Sequence, residues 1–171
     1  MNPTEIHLRA LEPSDLDFLY DLENDQCLWT VSNTLVPFSK YTLKEYISHA
    51  KEDIFVAKQQ RFVISDDHGD PLGIIDLFDF DPIHHRAGVG LVIKESYREN
   101  GLGKKALELV EAFAFERLQL HQLYVGIAQE NTASITLFKS AGYIECGIKK
   151  DWNYYNNSYH NEVVFQKIAH V

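Results

Sequence analysis

The sequence predicts an α/β domain whose antiparallel first half is followed by two β-α units. Alternating apolar segments joined by the turn sequences 66–70 and 81–85 indicate hairpins in the first half. Two segments with helical spacing, 103–118 and 131–142, each follow an apolar strand segment. A length of 171 residues suits one domain with its own core, so we expect a single domain over residues 1–171.

The first half predicts two helices among five strand segments. A helix follows Ser14, and a second is predicted from the capping-box sequence at 42–45, where Thr42 caps the helix and Glu45 reaches back to it. Gly88 and Gly90 interrupt the last strand and indicate a bulge or a close backbone approach. The strand segments are 6–11, 54–57, 61–65, 72–80 and 86–93.

The second half predicts two helices and three strands. In helix 103–118 the spacing turns Leu107, Val110, Phe113 and Ala114 inward. Helix 131–142 is expected to be capped by Asn131 and closed by Gly142. The strands are 122–128, 143–150 and 159–168, the last two joined by an aromatic, amide-rich loop at 151–159.

Composition excludes several classes of protein. A formal net charge of −9 argues against a nucleic-acid partner and is compatible with a cationic substrate. Cys27 and Cys146 fit no disulfide or metal framework and indicate reduced thiols. No apolar run approaches the ~18 residues of a membrane span, and the first residues lack a signal-peptide pattern. We therefore expect a soluble cytoplasmic protein without a membrane partner.

A glycine pair precedes helix 103–118 in the segment 97–115, YRENGLGKKALELVEAFAF. Free N–H groups at a helix start, with glycines that allow close approach, favour a bound phosphate. Taken alone, the pattern is also typical of a helix after a flexible turn. A Walker A loop is excluded because Lys105 follows Lys104 and the earlier glycine is missing. A dinucleotide fingerprint would have Ala106 at its third glycine, but it is disfavoured because the strand and helix lie late in the chain and no acidic residue ends the following strand.

Residues 98–103, RENGLG, match the Gln/Arg-x-x-Gly-x-Gly/Ala signature of the GNAT superfamily of N-acetyltransferases. About thirty residues later, QENTASITLFKSAGYIECG resembles the next conserved segment of that family. The chain also resembles the branch that holds spermidine and ribosomal-protein N-acetyltransferases. The resemblance implies a mixed, mostly antiparallel sheet with a splayed pair of parallel strands, flanked by about four helices.

The resemblance also implies a site for acetyl-CoA as cosubstrate. The residues that match the strand bonding the pantetheine arm are Leu91, Val92 and Ile93. The pyrophosphate would lie on the loop and helix start formed by Arg98, Glu99, Asn100, Gly101, Leu102, Gly103 and Lys104. Asn131 and Ser134 would hold the other side of the arm, and Phe138 and Lys139 lie on the helix that flanks it.

The family reaction implied for this chain is direct attack of a neutral primary amine on the thioester in a ternary complex. The chain departs from the family at two positions: Phe138 replaces a tyrosine acid, and Gly88 replaces a glutamate of the spermidine enzymes. Asp76 and Asp79 are three apart on a strand and point to opposite faces, so only one of them can face the cleft. We favour Asp76 as the replacement carboxylate, with an edge or solvent carboxylate as the alternative. Tyr143 is the candidate acid, with a core aromatic as the alternative. Cys146 as a nucleophile is disfavoured.

The acceptor side is predicted from aromatic residues that could attract a cation. In the 151–159 loop these are Trp152, Tyr154 and Tyr155, with hairpin packing or a subunit contact as the alternative. Trp29 belongs to the segment that would form the opposite wall. The spermidine enzymes carry acidic residues in that segment, where this chain has Ser32 and Asn33. Adjacent histidines 84 and 85 lack a third ligand, so no metal site is expected.

Four functions remain open. The first is an acetyl-CoA-dependent N-acetyltransferase for a small amine such as a polyamine. The second is a protein N-terminal (ribosomal-protein-like) or side-chain acetyltransferase. The third is a non-catalytic domain that binds or senses acyl-CoA, which the departures at Phe138 and Gly88 motivate, and the fourth is a bare nucleotide-phosphate module. A homodimer or larger homo-oligomer is compatible with the C-terminal hairpin.

Overall fold

A seven-stranded mixed sheet forms the centre of the protein, a computed structural model of which describes residues 5–32 and 34–169. The strand order is β1-β2-β3-β4-β5-β7-β6, and all neighbours are antiparallel except the parallel pair β4 and β5. This confirms the predicted fold class. The strands are β1 (His7–Arg9), β2 (Gln60–Ser65), β3 (Pro71–Asp81), β4 (Arg86–Ile93), β5 (Gln122–Ala128), β6 (Ile144–Tyr155) and β7 (Ser158–Ile168).

Six α-helices flank the sheet in the described part of the chain, two more than expected. They are α1 (Leu16–Glu23), α2 (Gln26–Ser32), α3 (Lys40–His49), α4 (Ile54–Ala57), α5 (Leu102–Ala112) and α6 (Thr132–Ser140). A π-helical segment, Phe113–Arg117, continues α5. None of these described helices has the length and apolar character needed to cross a membrane.

Two local predictions in the first half were wrong. Segment 54–57 is helix α4 and not a strand, because the Asp53 side chain accepts a hydrogen bond from the Phe55 N–H and the turn closes at Lys58 with φ 57°. Helix α3 is capped by Ser39 and not by Thr42: the Thr42 N–H donates to Ser39 Oγ at 3.0 Å. Glu45 instead accepts from the Tyr41 hydroxyl at 2.9 Å.

The C-terminal hairpin is longer than predicted. Segment 151–159 is not a loop, because β6 runs to Tyr155 and β7 begins at Ser158. Only Asn156 and Asn157 form the turn, with φ of 50° and 58°. Asparagine tolerates this left-handed conformation better than most residues. The aromatic side chains of this segment therefore belong to two paired strands.

The core is divided between the two faces of the sheet. Helices α5 and α6 cover one face, where Leu107, Val110, Phe138 and Phe165 join the larger apolar cluster. Helices α1 and α3 cover the other face over β1 and β2. The inward positions predicted for α5 and the Asn131 cap of α6 are confirmed, since Asn131 Oδ1 accepts from the Ser134 N–H at 3.1 Å.

The ion pair between the partly exposed Arg9 and the buried Asp15 connects β1 to the start of α1. Two guanidinium N–H groups of Arg9 donate to Asp15 at 2.7 and 2.8 Å, and the Glu12 N–H donates to the same carboxylate. Asp15 is only 4% exposed. Burial opposes the charged carboxylate, but these three hydrogen bonds and the Arg9 charge lower its pKa on balance.

Asp15→Asn is expected to lower the free energy of unfolding by about 2 kcal/mol at pH 7, because it leaves the Arg9 charge without its carboxylate. Since the folded pKa is depressed, this contribution is present above roughly pH 4 and is lost as the pH falls through the lower folded pKa. Urea unfolding between pH 2.5 and pH 7 measures both effects. Asp17→Asn is the matched control, since the Asp17–Lys40 pair is exposed. Equal losses for the two variants would contradict the prediction.

Candidate active site

A cavity of about 880 Å³ lies where β4 and β5 separate. The two strands pair only over Arg86–Gly88 and Gln122–Tyr124. Beyond Gly88 they diverge, while β4 stays paired with β3 and β5 with β7. The diverging strands leave a gap in the sheet that reaches from the α5 and α6 face to the opposite face, and this gap can receive an extended amide chain.

The cavity carries more negative than positive charge. Among the described residues its lining contains four carboxylates and two cations: Glu23, Asp76, Asp79, Glu162, Arg61 and Lys149. Glu162 lies directly over the strand floor, because a Cβ added at Gly126 would lie 2.5 Å from its carboxylate. This arrangement favours a cationic ligand.

Arg61 holds two of these carboxylates. Its Nε and Nη2 donate to the two oxygens of Asp76 at 2.7 and 2.8 Å, and Nη1 donates to Glu23 at 2.6 Å. The side chains of Arg61, Glu23 and Asp76 are 14–15% exposed. The guanidinium carbon of Arg61 lies 5.2 Å from the centroid of the Tyr46 ring. Burial raises the pKa of Tyr46. Asp76 therefore lies in the cavity but has both oxygens engaged.

Asp76 and Asp79 line the same cavity, which corrects the expectation that only one of them could. The register between β3 and β4 shifts between Phe78 and Asp81, and Asp79 has a positive φ of 48°. A bulge of this kind breaks the alternation of faces along a strand.

Position 88 requires glycine because the Phe78 ring lies close to the backbone there, and a glycine inside the strand predicted such a close approach. A Cβ there would lie 2.4 Å from the Phe78 ring. Phe78 and Gly88 are cross-strand partners, so the ring occupies the space that a side chain at position 88 would fill. The position that the sequence resemblance matches to a glutamate is therefore covered by an aromatic ring.

Tyr143 does not line the cavity, so the structure does not support it as the acid. It is 3% exposed and packs edge-on against Phe138, with ring centroids 4.9 Å apart. Burial, together with the charge of Glu111, raises the pKa of Tyr143. The alternative role predicted for Tyr143, a core aromatic, fits this position better than a catalytic acid does.

The glycine-rich loop joins β4 to the start of α5. Gly101 has φ 75° and Glu99 has φ 63°, so the backbone turns sharply before the helix. The Arg98 Nε donates to the Ile93 carbonyl at 2.9 Å and ties the loop to the end of β4. Gly103 also lets α5 approach α6, since a Cβ there would lie 3.0 Å from Leu137. A helix start of this kind can bind a phosphate.

Helix α6 forms the other wall of the gap. Asn131, Ser134 and Phe138 line the cavity together with Leu91 and Val92 of β4. Ile93 is buried just beyond them. Lys139 does not line the cavity: it pairs with Glu145 at 3.5 Å and lies over the Phe165 ring. Leu102 is buried and Lys104 is exposed at the helix start.

Only one of the predicted acceptor aromatics lines the cavity. Trp152 does, and Lys149 Nζ lies 4.5 Å from its ring, so the chain's own cation occupies one face. Tyr154 packs on Tyr159, and Tyr155 stacks on His160. Trp29 donates to the Glu23 carbonyl and is not part of the lining.

The two positions where this chain has Ser32 and Asn33 in place of the acidic residues expected from the resemblance cannot be placed in the site. Asn33 lies outside the described residues, and the side chain of Ser32 does too. No group of three or more possible metal ligands occurs in ranges 5–32 and 34–169.

Sequence reasoning missed Arg61, Phe78, Tyr124 and Glu162 as site residues. The turn at 66–70 could have identified Arg61, because a hairpin about this turn sets Arg61 opposite Asp76, as observed. Tyr124 and Glu162 have no such local signal, since strands β5 and β7 reach the cavity from distant parts of the chain.

Residues 5–144 match the protein family described as the acetyltransferase (GNAT) domain. The spermidine N(1)-acetyltransferase of Vibrio cholerae is 26% identical over 149 residues, which cover 84% of this chain and 82% of that protein. The Escherichia coli K12 enzyme is 26% identical over 161 residues, covering 92% and 83%. A crystal structure of the Vibrio cholerae enzyme with CoA and spermine superposes with a TM-score of 0.88 at 25% identity, over 96% of both chains.

Proposed function

Because the chain belongs to the GNAT acetyltransferase family, we propose that it transfers the acetyl group of acetyl-CoA to a primary amine of a polyamine. It is an N-acetyltransferase, and acetyl-CoA is its cosubstrate. The acceptor and the course of the reaction are the proposal. The observation that supports a polyamine best is the excess of carboxylates in the cavity. Relatives that cover most of this chain act on spermidine.

The gap between β4 and β5 is the proposed site of the pantetheine arm. Leu91, Val92 and Ile93 lie on one side of it, and Asn131 and Ser134 on the other. The loop from Arg98 through Lys104 would take the pyrophosphate on its backbone N–H groups. Phe138 gives the gap an apolar wall. Lys139 is the least supported of the predicted contacts, because its ammonium pairs with Glu145.

The acceptor would lie on the opposite face, over the strand floor at Gly90 and Gly126, where the Glu162 carboxylate lies over Gly126. A long cation carries charges along its length, and the carboxylates of Asp79 and Glu162 lie on two sides of this floor. Trp152 adds an aromatic face at the rim. In this proposal Tyr154, Tyr155 and Trp29 support the walls rather than touch the acceptor.

The reaction proposed is direct attack in a ternary complex. The neutral amine attacks the thioester carbonyl, and the backbone N–H of Val92 or Leu91 stabilises the oxyanion. The carbon–sulfur bond then breaks, and the thiolate takes a proton. Holding the amine against the thioester supplies much of the acceleration, since effective molarities are large. Asp76, held by Arg61, contributes negative charge near the acceptor.

Thiol release from acetyl-CoA, followed with DTNB, tests the proposal across spermidine, spermine, putrescine, butylamine and a ribosomal N-terminal peptide. We expect kcat/KM for spermidine or spermine to exceed that for butylamine by about 100-fold, because two charge contacts add roughly 3 kcal/mol. Glu162→Gln should raise KM for the polyamine without raising KM for acetyl-CoA. Glu145→Gln, outside the cavity, is the matched control.

Other outcomes of the same experiment favour the alternatives. Turnover of the peptide without turnover of polyamines would identify a protein N-terminal acetyltransferase. Binding of acetyl-CoA with no thiol release from any amine would favour an acyl-CoA-sensing domain. A homo-oligomer and a cytoplasmic location remain predictions. The exposed side chains of Ile144 and Ile148 on the outer strand β6 support the homo-oligomer.

A further inference from the structure

The bulge in β3 brings a second carboxylate into the cavity. The β3–β4 register is regular from Gly73 to Phe78, shifts before Asp81, and leaves Asp79 without a partner in the ladder. Asp79 takes a φ of 48°. This left-handed conformation costs less free energy for aspartate than for most other residues. Strained backbone of this kind is concentrated at functional sites.

The Asp79 carboxylate is available to bind a ligand, whereas the Asp76 carboxylate is not. Both oxygens of Asp76 accept hydrogen bonds from Arg61. Asp79 is exposed to the cavity, and its one side-chain hydrogen bond in the described part of the chain comes from the Tyr124 hydroxyl, 3.3 Å from Oδ2. Its Oδ1 therefore remains accessible to an ammonium group or a water molecule.

A row of three residues places the Tyr124 hydroxyl beside Asp79. Phe78, Gly88 and Tyr124 are successive cross-strand partners on β3, β4 and β5. The Phe78 ring fills the space over Gly88 and meets the Tyr124 ring edge-on, with centroids 6.1 Å apart. The ring that excludes a side chain at position 88 thus also supports the tyrosine that contacts Asp79.

We propose, resting on the proposed function, that Asp79 is the proton acceptor for the acceptor's ammonium group and that Tyr124 is its positioning residue. The ammonium N–H donates to Oδ1 directly or through one water, and its proton passes to Asp79 and then to solvent. The freed electron pair of nitrogen forms the new bond to the acetyl carbon. The second nitrogen proton leaves as the carbon–sulfur bond breaks, and the thiolate is protonated, so one proton is released in all.

The charged surroundings of the pair decide how it responds to pH. Arg86 on β4 and Asp81 on β3 act on Tyr124 from the closed end of the strands, and they pair with each other at 3.3 Å. Toward the cavity the lining carries the charges of Glu23, Asp76, Arg61, Glu162 and Lys149. Burial, together with the charge of Asp79, raises the pKa of Tyr124, so its hydroxyl keeps its proton and donates to the carboxylate.

Steady-state kinetics of Asp79→Asn and Tyr124→Phe test the inference with the polyamine that the wild type turns over best. Asp79→Asn should lower kcat about 100-fold with KM for acetyl-CoA unchanged, because it removes the base. Asparagine accepts the same backbone conformation, so the fold is retained. Tyr124→Phe should lower kcat less than tenfold. KM for the polyamine and for acetyl-CoA should stay within twofold of the wild type, because Tyr124 positions the base and does not bind either substrate.

Asp67→Asn is the matched control, since Asp67 lies in the exposed turn between β2 and β3. A kcat for Asp79→Asn within twofold of the wild type would overturn Asp79 as the base. A kcat for Tyr124→Phe equal to that of the wild type, or a loss that lies in KM rather than in kcat, would overturn its positioning role. Absence of thiol release by the wild type with every amine would instead reject the proposed function, and the inference with it.

Discussion

Arg61→Met is expected to lower the free energy of unfolding by about 4 kcal/mol at pH 7. The substitution removes the cation that lies between Glu23 and Asp76, both about 85% buried. Two carboxylates then remain close together without a counter-charge, and removal of one partner from a buried ion pair costs 3–5 kcal/mol. Urea unfolding measures the loss.

Two controls separate this effect from the loss of any arginine on the sheet. Arg86→Met removes a half-exposed arginine that pairs with Asp81 at 3.3 Å, and should change stability by less than about 0.5 kcal/mol. In a Glu23→Gln, Asp76→Asn background the Arg61 substitution should cost much less, because the carboxylates are gone. Equal costs in the two backgrounds would show that Arg61 stabilises the fold by packing rather than by charge.

Gly73→Ala is expected to cost about 3 kcal/mol of unfolding free energy and to weaken acetyl-CoA binding. An added Cβ would lie 2.3 Å from the Val92 carbonyl oxygen and 3.0 Å from the Ile93 Cα. Both are backbone atoms of β4, so no side chain can move aside, and overpacking is relieved only by displacing the strand. Val92 lines the cavity, so the displacement should reach the cosubstrate site.

Gly147→Ala is the matched control for a glycine in a strand. A Cβ at Gly147 meets nothing within 4 Å, and its φ is not positive. Its effect should stay below about 1 kcal/mol, with a stabilising sign because alanine restricts the unfolded chain. Urea unfolding and acetyl-CoA titration calorimetry on both variants check the pair. Equal stability and affinity in Gly73→Ala and the wild type would mean that β4 adapts at no cost.

The sequence by itself determined most of the order of the elements and the family, and it predicts where the cosubstrate binds. Apolar alternation and helical spacing depend on neighbouring residues, so the strands of the central sheet and helices α5 and α6 could be predicted. The glycine loop at 98–103 and the Asn131 cap are local as well, because each depends on backbone groups within a few residues. For the same reason, the family could be identified from these two segments.

Only the tertiary structure decided which carboxylate is available. Alternation on β3 implied that Asp76 and Asp79 face opposite sides, but a bulge turns both into the cavity, and Arg61 engages one of them. A bulge has no simple sequence signature, because it depends on register with a neighbouring strand. Tyr143 was misplaced for a related reason: the space left by α5 and Phe138 buries its ring, and spacing along the chain does not report that space.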